Sequence, residues 1–83
     1  MENYLTKDLY ISSMLYAKGR EFIGLNKSGR SYWFIFRDNT TCEKLVSEYW
    51  QGKVTVDALS FVEAIRTLKN FIFSESEKEK MSF

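Results

Sequence analysis

The sequence predicts an α+β domain in which a small sheet with antiparallel strands carries helices, in the order α-β-β-α-β-α. Three observations predict it: an aromatic hairpin over residues 20–37, apolar residues at helical spacing in three stretches, and glycines at the ends of elements. A chain of 83 residues suffices for one domain. We expect that domain to span residues 1–73. Residues 74–83 are expected to form a charged, flexible tail, either a frayed helical extension or disordered, because their Ser, Glu and Lys cannot fill a core.

The first helix is predicted to start at Thr6, with Asp8 in its first turn near the positive end of the helix dipole. Its apolar residues spread over a wide arc, as expected of a helix that lies on a sheet. Lys18 followed by Gly19 is a typical helix C-terminus.

The hairpin that follows is predicted to turn within residues 26–29, and two registers fit its sequence. A three-residue loop places Ile23 opposite Trp33, whereas a two-residue turn at Ser28 and Gly29 places Gly24 opposite Trp33. Asn26 at the start of the turn favours the three-residue loop.

The second strand of the hairpin is apolar on both faces, because side chains alternate between the two faces of a strand. Such a strand is either covered on both sides or has one face that a partner covers. We expect the face with Trp33, bordered by Arg30 and Arg37, to meet a partner. The face expected in the core holds Tyr32, Phe34 and Phe36.

A second helix is predicted from the capping-box spacing of Thr40 and Glu43, and Gly52 is expected to end it. The β-branched segment 53–56 predicts a third strand, which could pair with either hairpin strand. The residues expected on the buried face of this helix are Cys42, Leu45, Val46, Tyr49 and Trp50.

Asp57 is predicted to cap the longest helix, which runs from Ala58 to about Phe73. Phe71 and Phe73 lie off its apolar stripe, which suggests that this helix meets a partner, a second layer or a twin subunit at that end. The predicted stripe consists of Ala58, Phe61, Val62, Ile65, Leu68 and Ile72.

The composition argues against catalysis and against a bound cofactor or metal. The chain has no histidine, the most common acid–base residue, and its single cysteine, Cys42, lies on an apolar helical stripe where a structural role is expected. Acidic residues are scattered without metal-ligand spacing, and the four glycines form no phosphate loop. Without a signal peptide or an apolar run of spanning length, we expect a soluble cytoplasmic protein and no membrane association.

Positive charge is concentrated in residues 18–37, which contain five basic residues and one acidic residue. Together with the aromatic side chains, this segment predicts a binding surface, with Arg20, Arg30, Trp33 and Arg37 as the candidate partner-binding residues. Tryptophan and arginine are enriched in protein interfaces, so a protein partner is expected, and self-association as a dimer is its simplest form. The alternative is a nucleic acid, because bases stack on aromatic rings and basic side chains hold phosphates.

Several short motifs resemble the small proteins of domain of unknown function 5659. Over residues 5–73 they are Thr6-Lys-Asp-Leu-Tyr10, Ala17-Lys-Gly19, Tyr32-Trp-Phe-Ile-Phe36, Tyr49-Trp-Gln-Gly52 and Ala64-Ile-Arg-Thr-Leu-Lys69. The resemblance brings no catalytic residues, and it implies an accessory product of bacterial genomes, phages or other mobile elements. We therefore expect a non-catalytic binding module that binds itself or a host or defence protein, with a nucleic-acid-binding accessory protein as the alternative.

Overall fold

The structure, a computed structural model, describes residues 2–80, and the side chains of residues 2–78. It confirms the α+β class, with three helices packed on a three-stranded antiparallel sheet. The elements are β1 (Tyr4–Thr6), α1 (Leu9–Ala17), β2 (Phe22–Ser28), β3 (Ser31–Phe36), α2 (Asn39–Trp50) and α3 (Ala58–Lys80).

The element order differs from the prediction, because the third strand is β1 and not the segment 53–56. That segment is irregular; its two valines pack on the core, and the Lys18 Nζ donates a hydrogen bond of 3.2 Å to the Thr55 carbonyl oxygen. Thr6 ends β1 instead of starting a helix. The N-cap of α1 is Asp8, whose Oδ1 accepts hydrogen bonds from the backbone N–H of Tyr10 and Ile11 at 2.8 and 2.9 Å.

The sheet order is β1-β3-β2, so the doubly apolar strand β3 is the central strand. Leu5 of β1 lies opposite Ile35, and Thr6 lies opposite Phe34. Both antiparallel partners of β3 therefore come from earlier in the chain. The helices α2 and α3 follow β3 and pack on one side of the sheet.

The hairpin turn differs from both predicted registers. Ser28 pairs with Ser31, so the loop consists of Gly29 and Arg30 alone. Gly29 has a φ of +62°, and the φ of Arg30 is not positive, which is the pattern of a type II′ turn with glycine at its first loop position. Asn26, expected to start the turn, lies within β2 opposite Trp33.

The core lies between the sheet and the helices. All three helices contribute to it, and α1 packs against both α2 and α3. Two serines of α1, Ser12 and Ser13, are also fully buried, and their hydroxyls donate to the carbonyl oxygens of Asp8 and Leu9. The buried apolar residues of the cluster are Ile11, Met14, Leu15, Phe34, Phe36, Cys42 and Leu68.

Helix α2 starts two residues earlier than predicted, because Asp38 and not Thr40 is its N-cap. The Asp38 carboxylate accepts hydrogen bonds from the Thr41 hydroxyl at 2.7 Å and the Thr41 backbone N–H at 3.3 Å. Gly52 follows the helix end as predicted. The predicted burial of Trp50 is wrong, since its side chain is 68% exposed, whereas Cys42 is fully buried.

Helix α3 starts after Asp57 as predicted, with the Asp57 Oδ2 accepting a 3.0 Å hydrogen bond from the Ser60 backbone N–H. Ala58 and Val62 are exposed and do not belong to the buried stripe, which includes Ala64 instead. The helix continues past Phe73 to Lys80, so the described part of the predicted tail is a helical extension, and residues 81–83 lie outside the described residues.

Candidate functional site

One face of the sheet turns away from all three helices, and we call it the open sheet face. Its members are fixed by the strand register: Leu5 and Gly24 both lie opposite Ile35, and Asn26 lies opposite Trp33. Leu5 is 44% exposed, and a Cβ placed on Gly24 would meet no atom within 4 Å. The opposite face carries Phe34 and Phe36 in the core, as predicted, whereas Tyr32 on the same face is only half-buried.

Trp33 is the aromatic residue of β3 on the open sheet face. It is half-buried, and the ammonium group of Lys7 lies 4.8 Å from its ring centroid, a distance at which a cation–π contact stabilises the pair. Lys7 takes this place because β1 ends at Thr6, beside the middle of β3. Sequence reasoning missed Lys7 because its position depends on a strand that was not predicted.

The arginines expected near Trp33 do not form one cluster. Arg30 is in the turn before β3 and Arg37 follows the other end of β3, so roughly 20 Å of strand separates them. They border opposite ends of the open sheet face. The Arg37 Nε donates a 2.9 Å hydrogen bond to Glu21 Oε1, in an exposed ion pair that offsets part of its charge.

Arg20 lies off the open sheet face, between the end of α1 and the start of α2. It borders a shallow groove of about 280 Å³ together with Arg37 and Asp38, so the structure brings these two arginines together. The pKa of the Asp38 carboxyl is lowered mainly by the hydrogen bonds from Thr41, and the positive charge of Arg20 adds to this effect. Arg20 therefore supports the cap of α2 electrostatically.

Asp38 has a φ of +69°, a left-handed conformation that non-glycine residues rarely adopt. Its hydrogen bonds to Thr41 hold it there, directly between Arg37 and the first turn of α2. The sharp change of direction lets α2 pack back on the core side of the sheet.

Cys42 has the structural role that the sequence predicted. Its side chain is fully buried, its Sγ donates a weak 3.5 Å hydrogen bond to the Arg37 carbonyl oxygen, and burial raises the pKa of its thiol. The thiol is therefore protonated at neutral pH and is a poor nucleophile.

Among the described side chains of residues 2–78, no group of three or more Cys, Asp or Glu is placed to hold a metal ion. Among the helices of the same residues, none combines the length and the apolar character that crossing a bilayer requires.

Comparison with known proteins places the chain in a family. No curated protein and no solved structure matches it. The model of one family, whose description is Domain of unknown function (DUF5659), matches residues 1–74. That match covers most of the 83 residues and agrees with the motifs of the hairpin and the helix ends. The chain therefore belongs to the DUF5659 family.

Proposed function

We propose that this protein is a non-catalytic binding module that holds a protein partner on its open sheet face. The observation that carries the proposal is the apolar character of this face. The residues on the solvent face of an antiparallel sheet are normally polar. On the open sheet face, however, the apolar residues Leu5, Trp33 and Ile35 lie together. Apolar residues grouped on one surface are typical of interaction sites.

The side chains of the face indicate the chemistry of the partner. Trp33 is the residue type that most often dominates interface energy, and its half-buried ring offers a rigid anchor. Lys7 and Arg30 at its border are both basic, and Arg37 at the far end is paired with Glu21. We therefore propose a partner with an apolar centre and an acidic rim, since complementary charge favours association and like charge opposes it.

A different protein fits this chemistry better than a second copy of the chain. Two open sheet faces placed against each other would bring the Lys7 side chains of both copies to one small interface, where like charges repel. The accessory role that the family resemblance implies makes a host protein, such as a defence protein, the partner we propose.

A nucleic acid has less support. The aromatic rings of Phe34 and Phe36 face the core and cannot stack on bases, which leaves Trp33 as the aromatic residue of β3 on the open face. Arg37 is engaged by Glu21, and Arg20 lies elsewhere. The positive charge is thus divided among separate places instead of following one groove.

We expect protein fragments that are selected from a displayed library for binding to this protein to bind at its open sheet face. Trp33→Ala removes the anchor and Ile35→Asp places a charge beside it, so each should weaken binding of the selected fragments at least about tenfold. Affinities can be measured by titration calorimetry with purified protein of each variant, after circular dichroism has verified its fold.

The matched control is Trp50→Ala, which removes an exposed tryptophan at the end of α2 and should leave the affinity unchanged. Selected fragments that bind both open-face variants as tightly as the unaltered protein would contradict the proposal.

Labelled single- and double-stranded oligonucleotides are titrated in parallel. Salt-sensitive micromolar binding that Arg30→Ala with Arg37→Ala abolishes would favour the nucleic-acid alternative.

A further inference from the structure

A basic groove lies between the end of α1 and one side of α2. It has a volume of about 330 Å³, and none of its lining residues belongs to a strand. Four of them follow one another at helical spacing on α2, so the groove runs along that helix. The lining residues are Lys18, Arg20, Thr41, Lys44, Leu45 and Glu48.

The positive charge of this groove is not neutralised by ion pairs. Three of its lining side chains are basic and one is acidic, which leaves an excess of two positive charges. Among the described side chains, no carboxylate lies within ion-pair distance of Lys18, Arg20 or Lys44. The Lys18 Nζ donates one hydrogen bond to the Thr55 carbonyl oxygen and has two further N–H donors.

Arg20 is the residue of the groove whose hydrogen bonding is incomplete. Its Nε is buried and has no acceptor among the described residues. Asp38 borders the neighbouring groove on the other side of Arg20, but its carboxylate accepts hydrogen bonds from Thr41. A buried charged donor without an acceptor lowers stability, so an anion beside the guanidinium would offset that loss.

We propose that the basic groove binds a small molecule that carries a phosphate monoester. At neutral pH such a group has a charge of about −1.5 to −2. This charge matches the excess of two positive charges in the lining. A guanidinium such as that of Arg20 can donate to two phosphate oxygens at once, and Lys18 and Lys44 supply ammonium groups.

Glu48 determines how the ligand is oriented in the groove. It lies one helical turn beyond Lys44, and its carboxylate repels a phosphate at that end. The phosphate therefore lies toward Arg20. The rest of the ligand extends past Leu45 toward Glu48, whose carboxylate can accept hydrogen bonds from hydroxyl groups. A phosphorylated sugar has this combination of groups.

The volume of the groove suits a ligand of this size, because it is at the lower end of the range found for small-molecule pockets. The groove shares no residue with the open sheet face as defined by Leu5, Trp33 and Ile35. This inference therefore does not depend on the proposed function.

An NMR titration of the isotope-labelled protein tests the proposal. Ribose 5-phosphate, added at constant ionic strength, should give saturable shifts of the backbone amide signals of residues 18–20 and 41–48. Lys44→Gln and Arg20→Gln should each weaken binding at least about fivefold, because each removes a positive charge beside the phosphate. Lys44 is exposed, so its substitution should not disturb the fold. Glu48→Gln should strengthen the binding of inorganic phosphate, because it removes a like charge.

The matched control is Lys69→Gln, which removes an exposed positive charge from α3 and should leave the affinity unchanged. Trp33→Ala on the open sheet face should also bind ribose 5-phosphate like the unaltered protein. Dimethyl phosphate, a diester with a single negative charge, should bind at least about fivefold more weakly than ribose 5-phosphate.

The absence of saturable shifts at tens of millimolar ribose 5-phosphate would overturn the proposal. Equal losses of affinity for Lys44→Gln and Lys69→Gln would show a general attraction of anions to the protein and would overturn it as well. A diester that binds as tightly as the monoester would contradict the match of charge on which the choice of ligand rests.

Discussion

Phe36→Ala is expected to reduce the free energy of unfolding by about 3–5 kcal/mol, a large part of the stability of a domain this small. The Phe36 side chain has no exposed surface and lies on the central strand, with its ring centroid 5.4 Å from that of Phe22. Truncation leaves a cavity that β3, held by strands on both sides, cannot close. Urea denaturation with linear extrapolation measures the loss.

Trp33→Ala is the matched control, since it removes a larger ring from the same strand but from the open sheet face. Because the Trp33 side chain is half-buried, this substitution should reduce the free energy of unfolding by only about 1–2 kcal/mol. A Trp33→Ala loss equal to that of Phe36→Ala would show that both faces of the sheet are core. That result would remove the basis of the proposed function.

Leu68→Ala is expected to reduce the free energy of unfolding by about 2–5 kcal/mol. Leu68 is fully buried on α3, in the cluster that α3 shares with α1 and the sheet. The packing of α3 on the rest of the core therefore depends on this apolar face. The same denaturation experiment measures the change.

Leu59→Ala is the control for that prediction, because it makes the same substitution on the same helix at a side chain that is 65% exposed. It should change the free energy of unfolding by no more than about 0.5 kcal/mol. Comparable losses for both leucines would mean that the outer face of α3 is packed in solution, contrary to the structure.

Most of the fold could be predicted, because its long elements have strong patterns. The aromatic strand β3, the Asp57 cap and Gly52 after α2 all lie where the sequence indicated. Strand β1 was not predicted because a segment of three residues is too short to show alternation. Val54 and Val56 have the β-branched alternation of a strand, but they lie in an irregular segment and pack on the core.

The turn was misplaced for a different reason. Gly29 with its positive φ was expected near the end of the loop, whereas in the type II′ turn it takes the first position. This moves Asn26 from the turn into the strand and changes every pair along the hairpin. The assignment of Phe34 and Phe36 to the core nevertheless held, because alternation along β3 does not depend on the register.

The candidate site could be predicted only in part. Alternation placed Trp33 on the face opposite the core, but the contact with Lys7 requires β1, which comes from distant sequence. Charge counted along residues 18–37 suggested one basic surface. In the fold, the length of β3 separates Arg30 from Arg37, and Arg20 supports the cap of α2.

The rate of thiol labelling tests most directly whether the open sheet face is uncovered in solution. Leu5→Cys and Ile35→Cys place a thiol on that face, and the buried Cys42 serves as an internal reference in both variants. Under native conditions, we expect the thiol introduced at the exposed Leu5 to react with a thiol reagent at close to the rate of an unfolded peptide, and the thiol introduced at the half-buried Ile35 to react more slowly. Cys42 should react only when the protein unfolds. Introduced thiols as protected as Cys42 would show that the face is covered, and would contradict the account.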